Sequence, residues 1–319
     1  MSEADIIRCL SAGYPQRDDV ALGVGDDGAV LVPPPGRHLV SVLDTINENV
    51  HFPPGMPPAA IGHRALAVNL SDLAAMGAEP AWASLSLSLP DGEPGWVQAF
   101  ADSFRQLAVT HGVTLVGGDT VRGPLSVTVQ LTGFAEPGRR LARSGARPGD
   151  LVVISGLPGR AAAGLRLIQQ GDTLDRGLRQ AFLWPSPRVR LGRALIGIAT
   201  AAIDVSDGLL TDLERMLEAG GVGAVIELDQ VPVSDEAVAA LGAQEAFGLA
   251  LNGGDDYELC FTLPEGSSGE LSGLAEHGGC PLRVIGHIQE GAGVSFRRGG
   301  EPVAAPETVS WSHFDGRQP

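Results

Sequence analysis

Two rhythms of hydrophobic and polar positions run along this 319-residue chain. In "WASLSLSLP", starting at Trp82, every second residue is polar, so Ser84, Ser86 and Ser88 share one face of a predicted strand. "LSVTVQLTGF" alternates in the same way, and "HLVSVLD" predicts a strand that ends at Asp44. The apolar run "LVVISG" predicts another. Helical spacing appears over residues 1–12, from Ala59 to Met76, near Pro94 to His111, from Ala161 to Gln170, near Pro187 to Ala199, after "IDVSDG" and near 268–277. Strands and helices intermix throughout, but strict strand–helix–strand alternation is poor. The pattern therefore predicts two α/β or α+β domains and not a single Rossmann sheet. The Arg- and Gly-rich loop "GRRLARSGARPGD" marks the junction, giving domains 1–137 and 138–319.

Composition narrows the function classes. Hydrophobic residues make up 44% of the chain, enough for a substantial core. No apolar run approaches the ~20 residues of a membrane span. "MSEADIIRCLSAGYP" has an acidic start and no apolar leader core, which predicts a cytoplasmic protein. Cys9, Cys260 and Cys280 form no C-x-x-C pair, so neither a disulfide framework nor a zinc site is expected, and each cysteine reads as a small buried hydrophobe. A net charge of −16 disfavours nucleic acid and anionic membrane as partners. All 22 basic residues are arginine, which excludes a Walker A lysine, a protein-kinase strand lysine and Schiff-base chemistry.

Within "AVNLSDLAAMGAEP", Asp72 sits among Leu70, Leu73, Ala74 and Met76 with no arginine within five residues. A lone buried carboxylate is expensive unless a cation meets it. Five further short acidic motifs recur along the chain, "GDD" at 25–27, "LDT" at 43–45, "GGDT" at 117–120, "DVSDG" at 204–208 and "GGDD" at 253–256. Any one is ordinary turn chemistry. As a set they suggest hard oxygen ligands for Mg²⁺, with Gly-rich backbone able to approach phosphate closely. Two carboxylates ~4 Å apart repel by roughly 4 kcal/mol at an effective dielectric of 20, so converging acids bind protons or metal ions. No H-E-x-x-H, G-x-S-x-G or strand-to-helix G-x-G-x-x-G offers a competing chemistry.

"GVGDDGAVL", "LDTINENVHF", "HRALAVNLSDLAAMGAEPAW", "LVGGDTVRGPLSVTVQLTGF", "ARSGARPGDLVVISG", "AAIDVSDGL", "LNGGDDYELCFT" and "WSHF" together resemble the thiamine-monophosphate kinase family, in order, over roughly residues 20 to 315. That family lies in an ATP-binding superfamily with aminoimidazole ribonucleotide synthetase and selenophosphate synthetase. The resemblance implies a two-domain aminoimidazole ribonucleotide synthetase-like fold. Its N-terminal sheet domain binds ATP and Mg²⁺ and pairs its strands across a homodimer, its C-terminal domain is α/β, and ATP lies in a cleft near the domain boundary. It also implies transfer of the γ-phosphoryl group of ATP to thiamine monophosphate, with several Mg²⁺ ions.

By this resemblance Asp27, Asp44, Asp72, Asp119, Asp204 and Asp207 are metal ligands, and all but Asp204 count as catalytic. Gly118, Asp119, Arg143 and Ser206 contact ATP; His51, Asp255 and Trp311 hold the thiamine phosphate. The alternative is a related ATP-dependent synthetase of aminoimidazole ribonucleotide or selenophosphate type. Cys9 falls in a predicted helix and not in a Gly-rich catalytic loop, and the chain ends "FDGRQP", without the reactive C-terminal Cys of hydrogenase-maturation relatives. The family's Ser-Thr-Asp reads Val42-Leu43-Asp44 here, which removes a hydroxyl contact before Asp44.

Overall fold

A computed structural model describes residues 1–171 and 176–306. The chain divides into two compact units, Met1–Leu73 with Ala78–Gly138, and Ala74–Gly77 with Arg139 onward.

The N-terminal unit opens on α1 (Glu3–Ser11), where Ser2 and Asp5 form a capping box that satisfies the first backbone N–H groups. Two short antiparallel strands follow, β1 (Val20–Leu22) and β2 (Val30–Leu31). The main sheet is built from β3 (His38–Asn47), β4 (Glu79–Leu89), β5 (Thr114–Arg122) and β6 (Ser126–Ala135), in the order β3-β6-β4-β5. Helices α2 (Pro58–Ala75) and α3 (Pro94–Thr110) supply apolar faces that include Leu66, Leu70, Phe100 and Phe104, all fully buried. Gly62 allows the close approach of α2 to α3, since a Cβ there would lie 2.3 Å from the Phe100 carbonyl oxygen.

Sheet alternation follows the serine pattern. Val127, Val129, Leu131, Leu85 and Leu87 are buried on one face, while Ser86, Thr128 and Thr45 occupy the other. Two differences from the sequence reading stand out. Strand β3 continues past Asp44 to Asn47, and "GGDT" is not a turn but the middle of β5. A register shift in the β4–β5 pairing lets the glycines fit inside the strand.

The C-terminal unit is a mostly antiparallel seven-stranded sheet. In chain order its elements are β7 (Asp150–Ser155), α4 (Arg160–Gln169), α5 (Arg176–Leu183), α6 (Val189–Ala194), β8 (Ala201–Val205), α7 (Leu209–Gly220), β9 (Gly223–Glu227), α8 (Asp235–Leu241), α9 (Ala243–Asn252), β10 (Glu258–Pro264), α10 (Leu271–Gly278), β11 (Leu282–Gln289), β12 (Gly293–Arg298) and β13 (Glu301–Val303). The strand order is β13-β12-β9-β11-β7-β10-β8, with β12 and β9 parallel. Ile154, Ile203, Leu213, Met216, Ile226 and Cys260 belong to its core.

Helices α5, α8 and α9 escaped the sequence reading, and the helix expected over Pro187–Ala199 contracts to Val189–Ala194. Proline before it and a left-handed Gly197 (φ 82°) after it limit its length. Helix α10 begins only at Leu271, after a 3₁₀ turn over "EGSSGE". Cys260 and Cys280 are buried as expected, whereas Cys9 is half-buried and donates from Sγ to Gln98 Oε1 at 3.3 Å. Among the described residues no helix is long and apolar enough to cross a membrane.

Candidate active site

In the N-terminal unit, the link between α2 and β3 is Asn69, a residue the sequence reading passed over. Its side chain is fully buried, accepts the Asp44 N–H at 3.1 Å through Oδ1, and donates to the Ala65 carbonyl at 3.0 Å through Nδ2. Asp72 lies three residues further along α2, so it shares the helix face that Asn69 turns toward Asp44. It is half-buried, while Leu70, Leu73 and Ala74 around it are sealed. The helix thus carries Asp72 on a rim and not in the core, which removes the burial problem posed by the sequence.

Asp119 occupies a different place. Sheet register sets Thr45, Thr128, Ser86 and Asp119 in one row and Asp44, Val129, Leu85 and Gly118 in the next. A contact of 2.7 Å between the Thr45 and Thr128 hydroxyls confirms that the first row shares a face. Asp119 is exposed at the end of the first row, and Asp44 is half-buried at the end of the second. Gly118 has φ +152°, and a Cβ there would lie 1.9 Å from the Leu85 carbonyl oxygen. Its glycine is therefore required by the neighbouring strand. Asp27 is exposed in the loop between β1 and β2, its N–H bonded to Asp26 Oδ1 at 2.8 Å. The His51 ring is anchored through Nδ1, which accepts the Asn47 N–H at 3.0 Å.

The C-terminal unit gathers a second set around the ends of β8 and β10. Asp204 is buried on β8, and the chain turns after Val205 through Ser206, Asp207 and Gly208 into α7. Asp212, in the first turn of α7, accepts the N–H groups of both Ser206 and Asp207 at 2.9 Å and so fixes the turn. Burial, opposed in part by these N–H donors and reinforced by the Asp207 charge, pushes the Asp212 carboxyl up to about 6. Arg215 bridges Asp207 at 2.5 Å and Asp212 at 2.7 Å.

The "GGDD" loop lies against this turn. The Asp255 N–H donates to the Ser206 carbonyl at 2.8 Å and the Tyr257 N–H to the Val205 carbonyl at 2.9 Å. A Cβ on Gly254 would lie 2.4 Å from the Ser206 oxygen, so that position needs glycine for close approach. Next to the loop, Arg188 grips Glu258 through two nitrogens, and Glu258 also accepts from the Ser155 hydroxyl. Arg143 is exposed; its neighbour Ala142 accepts the Ala202 N–H at 3.0 Å, which ties that loop to β8.

Each unit thus concentrates its own acids. The structure brings Asp44 near the Asp72 face of α2, and Ser206, Asp207 and Asp255 together on adjoining loops. Asp119 pairs with Ser86 on the edge strand β5, and Asp27 sits in the β1–β2 loop. Among the described residues, no three His, Cys, Asp or Glu side chains converge as a ready metal cluster. The donor chemistry nonetheless suits a hard divalent cation. Asp207 and Asp212 share a single guanidinium, leaving excess negative charge, and every candidate ligand is a carboxylate oxygen. Trp311 lies outside the described residues. Asn69, Asp212, Arg215, Arg188 and Glu258 went unread because their spacing is ordinary; only an acid in the first turn of a helix, as at Asp212, carries a recognisable signal.

Comparison with known proteins places these features in a family. Residues 25–135 match the family described as AIR synthase related protein, N-terminal domain, and residues 147–299 its C-terminal domain. A thiamine-monophosphate kinase from Escherichia coli K12 is 45% identical, over 94% of this chain and 93% of its own. A crystal structure of thiamine-monophosphate kinase from Stenotrophomonas maltophilia superposes with a TM-score of 0.86 at 46% identity, covering 94% of this chain and 96% of that one. A structure described as AaThiL complexed with AMPPCP and TMP superposes with a TM-score of 0.77 at 32% identity, covering 91% and 92%. The identities and coverage leave one assignment: the chain belongs to the thiamine-monophosphate kinase family.

Proposed function

We propose that this protein transfers the γ-phosphoryl group of ATP to the phosphate of thiamine monophosphate, producing thiamine diphosphate and ADP. The observation that carries this reading is the near full-length match, 45% identical over 94% of the chain, to a thiamine-monophosphate kinase. The local chemistry is consistent with it. A phosphate monoester has a second pKa near ~6, so the acceptor is already largely ionised at pH 7 and needs no strong general base. Alignment of the reactants and neutralisation of charge supply the rate.

The residues divide these tasks. Arg143, with its planar fork of donors, binds a phosphate oxygen pair where a P-loop enzyme uses lysine. The Ser206 turn and Gly118 receive the nucleotide. Asp255 and His51 orient thiamine monophosphate; because the His51 Nδ1 is committed to the Asn47 N–H, its substrate contact runs through Nε2. Trp311 stacks on the flat ring system of the substrate. Asp27, Asp44, Asp72, Asp119, Asp204 and Asp207 hold Mg²⁺, which when bound neutralises the charge of the transferring phosphate.

The protein acts as a homodimer. Strands β3 and β5 form the two edges of the N-terminal sheet, and Leu39 and Leu43 on its open face are 53% and 61% exposed. Long edges and exposed leucines of this kind are surfaces that proteins cover.

The test is direct. Purified protein with ATP, Mg²⁺ and thiamine monophosphate yields thiamine diphosphate, and none with EDTA or with unphosphorylated thiamine. Asp72→Asn folds and loses at least about a hundredfold in kcat, the scale of removing one pre-organised electrostatic group. ADP release stimulated by formylglycinamidine ribonucleotide or selenide, and not by thiamine monophosphate, would overturn the reading in favour of a synthetase.

A further inference from the structure

The five residues Gly253–Tyr257 connect α9 to β10 with unusual backbone. Asp255 has φ +69° and Tyr257 φ +52°, both in the left-handed region although neither is glycine. Such residues cost roughly 1–2 kcal/mol each and persist only where the surroundings over-determine them.

Here the neighbours supply that constraint. The Asp255 and Tyr257 N–H groups are fixed by the Ser206 and Val205 carbonyls, at 2.8 and 2.9 Å. Between them the Asp256 side chain points the other way, into the start of α4, where its two oxygens accept the N–H groups of Gly159 at 2.5 Å and Ala161 at 3.0 Å. Tyr257 is 8% exposed, and its hydroxyl returns to donate to Asp255 Oδ1 at 3.1 Å. Asp256 thus pins the loop from one side while Tyr257 reaches back to the carboxylate two residues earlier. A left-handed turn at both 255 and 257 is what lets a side chain fold back over so short a span.

We propose that Tyr257 is a positioning residue for phosphoryl transfer: its hydroxyl sets the orientation in which the Asp255 carboxylate meets thiamine monophosphate, on a loop that Asp256 anchors to α4. This rests on the reading of Asp255 as a substrate contact. Because the Asp255 N–H is bonded to the Ser206 carbonyl, the same loop fixes the acceptor contact against the turn that receives ATP. Strain stored at 255 and 257 is thereby used for alignment between the two substrates.

Tyr257→Phe removes one oxygen and leaves the ring and the backbone hydrogen bonds in place. Steady-state kinetics of Tyr257→Phe, Asp255→Ala and the double variant, with thermal melts of each, test the inference. A hydrogen bond to a charged group predicts an increase of about tenfold in the KM for thiamine monophosphate in Tyr257→Phe, with the KM for ATP and the melting temperature unchanged. The double variant is expected to match Asp255→Ala, because the hydroxyl acts only through that carboxylate. An unchanged KM in Tyr257→Phe beside a raised KM in Asp255→Ala overturns the inference and spares the reading of Asp255. No effect of Asp255→Ala overturns both. A Tyr257→Phe variant that melts lower, or raises both KM values alike, shows a structural role instead and also overturns the inference.

Discussion

In the N-terminal unit the acids stand at the rim of a sheet with one open face: Asp119 is exposed beside Ser86, and Leu43, next to Asp44, is among the most exposed leucines in the chain. The C-terminal unit does the opposite. Every residue of β8 is buried, Asp204 included, and two acids that shape its loops, Asp212 and Glu258, are withdrawn from solvent. The comparison separates two uses of a carboxylate. Around the first sheet, Asp27 and Asp119 are exposed to solvent, and a buried neutral amide, Asn69, holds the backbone at Asp44. Around the second, buried and half-buried acids bond backbone N–H groups or an arginine and hold Ser206, Asp207 and Asp255 in place. Rigidity in one unit thus comes from helix-on-sheet packing, and in the other from ionic groups that have lost water and must be partnered.

The largest effect is expected from removing one partner of a buried pair. Arg188→Ala strands Glu258, whose side chain is 7% exposed, and is expected to destabilise the protein by about 3–5 kcal/mol. Arg37→Ala in the N-terminal unit removes a pair whose members are 28% and 41% exposed, and is expected to cost under about 1 kcal/mol. Urea melts of both variants check the contrast; equal shifts would erase it.

A smaller effect is expected on the open face. Leu43→Glu places a charge where a second copy would pack, and loss of about 1.5–3 kcal/mol of leucine burial raises the dimer dissociation constant tenfold or more. Sedimentation equilibrium reads this directly, while the melting temperature of the separated chain stays put. An unchanged mass would mean that the open face is not the dimer surface.

The smallest effect concerns pH. Burial raises the Asp256 carboxyl to about 8, with the charges of Glu258 and Asp255 adding to it and the N–H groups of Gly159 and Ala161 opposing. Between the unfolded value of 3.8 and the folded one, the native state binds more protons than the unfolded chain, so stability falls as pH rises through this window and levels off above it. The slope has a ceiling of about 1.4 kcal/mol per pH unit, the value for one proton, and the helix N–H groups narrow the window over which it applies. Asp256→Asn flattens it. Melting temperatures of the two proteins at pH 5, 6.5 and 8 that run parallel would remove Asp256 from this role.

Much of this was legible in the residues. The alternation of Ser84, Ser86 and Ser88 located the open face of β4 because side chains on a strand alternate with period two whatever surrounds them. The spacing of α2 was equally plain. The "GGDT" motif was legible as glycine and acid together but not as strand interior, because propensity argues against glycine in a strand and only the Leu85 carbonyl explains Gly118. Helix α8 was missed because at seven residues its periodicity is too short to register.

By itself, then, the sequence determined the two α/β units, the helices and strands with clear period, and the set of acidic motifs from which the family is recognisable. Those properties depend on neighbours along the chain. Tertiary structure alone decided which acids act outward and which are partners: that Asn69 holds Asp44, that Asp212 holds the Ser206 turn, and that Tyr257 folds back on Asp255. The reason is that an aspartate in a Gly–Asp motif has the same local chemistry whether it faces solvent or a buried N–H. Only packing between elements distant in sequence removes its water and names its partner.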